Sequence, residues 1–178
     1  MAILKAKHWV VFMLFLLGYI LTSFTGLDII LRGRILIAGI VLYVGWYILL
    51  GNALHGYLPR KAYYSLTWFL IDGFLIIVTY ASAIILFDGI MEATGFASLL
   101  GLYLFFAIGH LFWFPAATLV AIEIGREPEF NEYGGTLLQL IVWPIGIWFI
   151  QPRLNRIYKA IQADMLNYPR GHKHQARI

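Results

Sequence analysis

Four long apolar segments constrain the fold more than any other feature of this chain. A membrane-spanning α-helix needs about 20 consecutive, mostly apolar residues, and four segments reach that length, over residues 8–27, 35–58, 63–87 and 98–122. The chain is 61 % apolar, against roughly 45–50 % in soluble domains. The sequence therefore predicts an all-α, polytopic integral membrane helix bundle with four spanning helices.

Charged residues or a proline bound each segment, and aromatic residues lie near many of the ends, as in interfacial belts. The first segment is longer than the roughly 7–15 apolar residues of a secretory signal, so we expect a retained helix. We expect the transmembrane bundle to occupy residues 1–152 and a basic amphipathic cytoplasmic tail to occupy residues 153–178. The expected location is the bacterial cytoplasmic membrane.

A fifth apolar segment, residues 137–152, is shorter. Its run from Leu140 to Ile150 has eleven residues, and runs of about 10–14 are typical of re-entrant or interfacial elements. Pro144 and Pro152 each remove a backbone donor, although transmembrane helices tolerate proline where neighbours satisfy the freed groups. A re-entrant element, bent near Pro144 and ending at Pro152, and a fifth spanning helix are the two alternatives.

The distribution of Lys and Arg favours the re-entrant alternative, because basic residues concentrate in short cytoplasmic loops. With a cytoplasmic N-terminus and a re-entrant segment, eleven of the thirteen basic residues lie inside, and Arg32 and Arg34 lie outside. A fifth span would leave five inside and eight outside. We therefore expect both termini in the cytoplasm, with Trp143 and Trp148 near the headgroup level.

Beyond Pro152 the pattern predicts a basic amphipathic helix on the membrane surface. Apolar residues recur there at helical spacing, at Leu154, Ile157, Tyr158, Ile161 and Met165. Arg153, Arg156 and Lys159 are candidate ligands for anionic headgroups of the lipid bilayer, each gaining about 1 kcal/mol near the surface. The alternative is a solvated helix end that only holds the tail in the cytoplasm.

The segment PIGIWFIQPRLN, residues 144–155, resembles the ending of a family of small bacterial multi-pass membrane proteins whose members are uncharacterised. The similarity extends to GWYILLGNALHGYLP, residues 45–59, and to residues 123–133, about a quarter of the chain in total. The resemblance implies an all-helical membrane fold. It implies no activity, cofactor or substrate.

Two ionisable residues lie inside the predicted spans, where a charge costs roughly 2.5–3.5 kcal/mol on insertion scales. At a rise of about 1.5 Å per residue, Asp72 lies about 13 Å and His110 about 18 Å from the predicted cytoplasmic ends of their helices. These depths are close enough for the two side chains to pair. Such a pair could relay a proton or bind a cationic ligand, or it could be a buried hydrogen bond that joins two helices.

Asn52 and His55 are three residues apart and so share a face of the second span. We expect them to be either interfacial polar residues that water satisfies or part of the intramembrane polar set. Haem ligation by His55 and His110 would need both rings at one depth, but they differ by about 13 Å. No metal, cofactor, catalytic residue or nucleic-acid partner is expected.

Four carboxylates follow the fourth span, at Glu123, Glu127, Glu129 and Glu132. We expect a solvated acidic loop on the side of the basic tail. A pair such as Glu127 with Arg153 would dock the loop onto the tail, although exposed pairs contribute only about 0–1 kcal/mol.

Three functions remain open. The favoured one is a small non-enzymatic accessory or scaffold subunit that forms a homo-oligomer or binds a membrane partner. The second is a small transporter or channel that uses Asp72 and His110. The third is an enzyme that acts on a lipid at the cytoplasmic interface, built from Glu123, His55 and the basic tail.

Overall fold

The computed structural model describes residues 7–23, 28–59, 62–87, 95, 97–142 and 145–167. This part of the chain is all-α, with six helices and no β-strand. The helices are α1 (His8–Ser23), α2 (Ile29–His55), α3 (Leu66–Phe87), α4 (Ala97–Ile124), α5 (Phe130–Ile141) and α6 (Ile145–Asn167).

Three of the described helices, α2, α3 and α4, are long and apolar enough to cross a membrane, so the chain is an integral membrane protein. The predicted first span is described only over the 16 residues of α1, fewer than a span needs, and its residues 24–27 lie outside the described part. The second span begins earlier than predicted. Arg32 and Arg34 lie within α2 and not in the connection before it.

The core lies where α2, α3 and α4 pack against one another. The Phe69 ring of α3 and the Phe114 ring of α4 stack with their centroids 4.2 Å apart. A Cβ at Gly51 of α2 would come within 2.5 Å of the Phe69 ring. Glycine at this position therefore lets α2 approach the stacked rings closely, as small residues do in membrane bundles.

Short connections make successive spans antiparallel. His55, the last residue of α2, lies beside Tyr64, just before α3. We call this the His55 end of the bundle; it also includes the last turn of α4, which ends at Ile124.

The helices α5 and α6 form a hairpin against that end. The Tyr47 hydroxyl, in the second half of α2, donates a hydrogen bond of 2.8 Å to the Leu140 carbonyl oxygen of α5. The Trp148 ring of α6 meets the ring of Phe12, the fifth residue of α1, at 6.3 Å. Further along α6, Ile161 shares a groove with Ile122 at the end of α4.

The structure corrects one expectation about this segment. The predicted element ends at Pro152, but α6 continues through Pro152 to Asn167. Pro152 lies on the exposed face of the helix, and helices of membrane proteins tolerate an internal proline where the freed backbone groups find other partners. The division at residues 152 and 153 therefore falls inside a helix. The predicted bend near Pro144, with Trp143, lies outside the described residues, as does the tail beyond residue 167.

Candidate intramembrane polar site

Asp72 of α3 and His110 of α4 lie in direct contact within the spanning helices. The Asp72 Oδ2 and His110 Nδ1 atoms are 2.5 Å apart. The depths estimated from the sequence differed by about 5 Å for a rise of about 1.5 Å per residue, and the two side chains meet where α3 and α4 pack together. The structure thus joins the two residues that the sequence singled out.

A third residue completes the cluster. The Tyr103 hydroxyl of α4 donates a hydrogen bond of 2.5 Å to Asp72 Oδ1, so both carboxylate oxygens of Asp72 have a partner. Tyr103 was not among the residues predicted from the sequence, because tyrosine is common in membrane helices. The available signal was its position seven residues before His110, which places both side chains on one face of α4. We call Asp72, Tyr103 and His110 the polar triad.

One side of the polar triad is packed against aromatic rings. The His110 ring centroid lies 6.0 Å from that of Phe69, 5.6 Å from that of Trp113 and 5.9 Å from that of Phe114. Asp72 is buried. A buried carboxylate is costly unless hydrogen bonds compensate it; here the Tyr103 hydroxyl donates to one oxygen and His110 Nδ1 lies against the other.

The other side of the polar triad reaches the surface of the described bundle. The His110 side chain is 24 % exposed, and Tyr103 is 40 % exposed. The cluster can share protons among a carboxyl, an imidazole and a phenol, and it can also offer polar atoms to a group outside the bundle. The tautomer of His110 decides whether Nδ1 donates to Asp72.

Asn52 and His55 do not join this cluster. His55 Nε2 lies 3.2 Å from the Tyr64 carbonyl oxygen, and its ring stacks on Phe114 at 6.3 Å. Asn52 is exposed. His55 therefore fastens the connection between α2 and α3, and its ring and that of His110 both contact Phe114.

Two residues that were predicted to be cytoplasmic, Glu123 and Arg153, lie in a second cluster, at the His55 end. Arg153 of α6 donates to both carboxylate oxygens of Glu123 at the end of α4, through Nε and a terminal nitrogen. Its other terminal nitrogen donates to Thr136 Oγ1 of α5 at 2.8 Å. Arg153 thus joins three helices. We call Glu123, Thr136 and Arg153 the clasp.

The clasp corrects the expected pair of Glu127 with Arg153. Because α6 continues through Pro152, Arg153 faces the last turn of α4. Glu127 lies beyond that turn, and its charge affects the pKa of Tyr64. Burial, the negative charge of Glu127 and the neighbouring Tyr133 raise the pKa of Tyr64 to about 12. Of the three predicted headgroup ligands, Arg153 is engaged within the protein, and Arg156 and Lys159 are exposed.

An exposed ion pair between Arg126 and Glu132 lies at the start of α5. Arg126 donates to Glu132 at 3.0 and 2.5 Å, and the Glu129 backbone N–H donates to Glu132 Oε2 at 2.8 Å. The hydrogen bond from the Glu129 backbone, followed by that from Arg126, lowers the pKa of Glu132. Glu132 therefore caps the first turn of α5 in its charged form.

Neither cluster has the make-up of a metal centre, since no three His, Cys, Asp or Glu side chains converge within the described ranges. Of the residues named for the third predicted function, His55 contacts Tyr64 and Phe114, and Glu123 pairs with Arg153 of α6. Comparisons of the chain with protein-family models, with curated proteins and with solved structures find no match.

Proposed function

We propose that this protein is a small, non-enzymatic integral membrane subunit that assembles through the surface carrying Tyr103 and His110. The favoured partner is a second copy of the chain, and the alternative is another membrane protein. The observation that supports this proposal is the partial exposure of the polar triad at membrane depth. Ionisable residues in spanning segments almost always face a protein interior or a water-filled cavity. Contact with another helix would give His110 such an interior.

The pattern of α4 around the triad fits helix pairing. Leu99, Tyr103, Phe106 and His110 recur at spacings of four, three and four residues along one face, the a/d pattern by which two helices interlock. Phe106 is 65 % exposed and Leu99 is 58 % exposed. Apolar exposure alone says little in lipid, because hydrocarbon chains satisfy it equally well. The two polar members of the stripe are what favours a protein neighbour.

Cysteine cross-linking tests this proposal directly, because the chain contains no cysteine. Phe106→Cys places a thiol on the proposed interface, and Leu49→Cys, at an exposed position of α2, is the matched control. In native membranes we expect a disulfide-linked dimer, or an adduct with one partner, for Phe106→Cys and monomer for Leu49→Cys.

Changes in the polar triad give a second test of assembly. Tyr103→Phe and His110→Phe should lower the dimer fraction in native mass spectrometry from nanodiscs, while Tyr80→Phe on α3 makes the same chemical change away from the triad. A wild-type chain that is monomeric at all concentrations, with no adduct at Phe106, would show that the proposed surface faces lipid.

A second candidate is proton or ion transport, which the chain of hydrogen bonds from Tyr103 through Asp72 to His110 favours. Asp72→Asn and His110→Ala should then abolish proton flux into liposomes, whereas Tyr80→Phe should retain it. Equal flux in wild type, variants and empty vesicles would exclude this candidate.

We propose further that α1 is part of a fourth span over residues 8–27 and that both termini lie in the cytoplasm of a bacterial cell. The contacts of α5 and α6 support a hairpin that does not cross, because Trp148 and Ile161, on either side of Pro152, both meet residues near the ends of spanning helices, Phe12 and Ile122. The charge distribution along the sequence supports the cytoplasmic orientation.

A further inference from the structure

A groove opens at the His55 end, between the last turn of α4 and the middle of α6. It has a cavity volume of about 750 Å³. Ile122 and Glu123 contribute from α4, and Arg156, Ile157 and Ile161 contribute from α6, with Arg153 beside Glu123. The groove thus has an apolar wall of isoleucines and a charged rim within one cavity.

The charges of the groove leave one cation available. The carboxylate of Glu123 is matched by the guanidinium of Arg153 within the clasp, so these two charges offset each other. Arg156 remains exposed on the rim, and Lys159, also exposed, follows three residues later on the adjacent surface of α6. The rim is therefore complementary to a single anionic group.

The position of the groove restricts what can occupy it. Its α4 wall is the end of a helix that is long and apolar enough to span, so the isoleucines lie where the hydrocarbon region meets the headgroups. An acyl chain can pack on Ile122 and Ile161, which are half-buried, while a phosphate reaches Arg156, whose planar guanidinium matches phosphate oxygens. A soluble anion would leave the isoleucine wall uncovered.

We propose that this groove binds one anionic phospholipid, with its phosphate on Arg156 and its glycerol and upper acyl chains along the isoleucines of α4 and α6. This inference does not depend on the proposed assembly through α4. It differs from general attraction of the tail to a charged surface, because it assigns one lipid to one cavity and excludes Arg153 from the headgroup contacts.

Native mass spectrometry of the full chain, released from nanodiscs of phosphatidylglycerol or of phosphatidylcholine, tests the proposal. We expect one retained phosphatidylglycerol molecule on the wild type and markedly less phosphatidylcholine. Arg156→Gln should weaken retention about fivefold, the effect of about one basic residue at the surface. Arg126→Gln removes an equal charge at the same end outside the groove and should leave retention unchanged.

Two further variants separate a specific site from loss of folding. Arg156→Lys keeps the charge without the planar fork and should retain an intermediate amount of lipid. Ile161→Asn changes the half-buried wall and should weaken retention while Arg156 is intact. Helix content by circular dichroism should match the wild type for each variant.

The outcomes that overturn the proposal are distinct. Equal losses from Arg156→Gln and Arg126→Gln would show general surface attraction, and equal retention of phosphatidylcholine would remove the role of charge. Displacement of the lipid by millimolar glycerol 1-phosphate alone would show that the isoleucine wall does not contribute and that the site takes a soluble phosphate.

Discussion

Tyr47 and Leu140 are 93 positions apart in the chain, yet the Tyr47 hydroxyl donates a buried hydrogen bond of 2.8 Å to the Leu140 carbonyl oxygen. Leu140 lies in the last turn of α5, where carbonyl groups have no partner within the helix. Tyr47 is completely buried and packs edge-on against Phe112 of α4 at 5.1 Å. One side chain of the core thus both fills space and anchors the C-terminal hairpin.

Tyr47→Phe keeps the ring and removes this anchor. The Leu140 carbonyl is then left buried without its donor, so we expect the free energy of unfolding to fall by about 1 kcal/mol. Hydrogen bonds between membrane helices contribute roughly 0.6 kcal/mol on average, and a buried unpaired group costs about 1–3 kcal/mol. Unfolding in mixed micelles measures the loss, and hydrogen exchange should show faster exchange in α5. Tyr80→Phe, at an exposed tyrosine of α3, is the control; equal stability of both variants would contradict the anchoring role.

Gly146 of α6 lies directly against the backbone of α5. A Cβ added there would overlap the backbone of Gln139, and backbone atoms cannot rotate away as a flexible side chain can. Gly146→Ala should therefore separate the two helices and cost at least the roughly 1–3 kcal/mol typical of overpacking. Thermal unfolding in detergent measures this cost.

Gly135→Ala is the matched control, since a Cβ at Gly135 meets no atom within 4 Å. It should be neutral or slightly stabilising because alanine favours a helix over glycine. If the two alanine variants unfold at the same temperature, α5 and α6 do not pack as closely as described.

Hydropathy and charge explain how much of this molecule was predictable. The spans at α2, α3 and α4 followed from length and composition, because lipid forces backbone groups to pair within each helix. The juxtaposition of Asp72 with His110 followed from depth, since each antiparallel helix advances by a fixed rise per residue. The role of Tyr103 could not be predicted in this way. Its polar atom is at the tip of a largely apolar side chain, which fits many positions in a membrane helix.

The C-terminal hairpin shows where sequence reasoning failed. Proline normally interrupts a helix, so Pro152 indicated an end. The helix α6 nevertheless continues through Pro152, as helices of membrane proteins can, and this continuation turns Arg153 toward Glu123 instead of Glu127. The pairing of Arg153 with Glu123, 30 residues apart, depends on the angle between two helices. The periodicity of residues within one helix does not predict that angle.

Stability of the first turn of α5 should depend on pH through Glu132. Its pKa is lower in the folded chain than in the unfolded chain, so its contribution is fully present above the unfolded pKa, about 4.3, and is lost as pH falls through the folded pKa. Hydrogen exchange of residues 130–133, corrected for intrinsic rates, should therefore show less protection near pH 3 than near pH 6. Glu132→Gln should reduce protection at pH 6 and abolish the pH dependence, and an unchanged pH dependence in that variant would assign it to another group.

We expect both chain termini to lie on the cytoplasmic side of the membrane, because the proposed hairpin of α5 and α6 does not cross it. The side on which each segment lies can be measured by labelling single-cysteine variants in intact cells with a membrane-impermeant thiol reagent. Tyr63→Cys, in the connection before α3, and Arg156→Cys, on α6, should be protected until the cells are opened, whereas Ser98→Cys, in the first turn of α4, should react at once. Reporters fused before Met1 and after Ile178 should both show the cytoplasm. If Arg156→Cys reacts from outside while Tyr63→Cys stays protected, the hairpin crosses the membrane, and eight of the thirteen basic residues then lie on the side that the positive-inside rule disfavours.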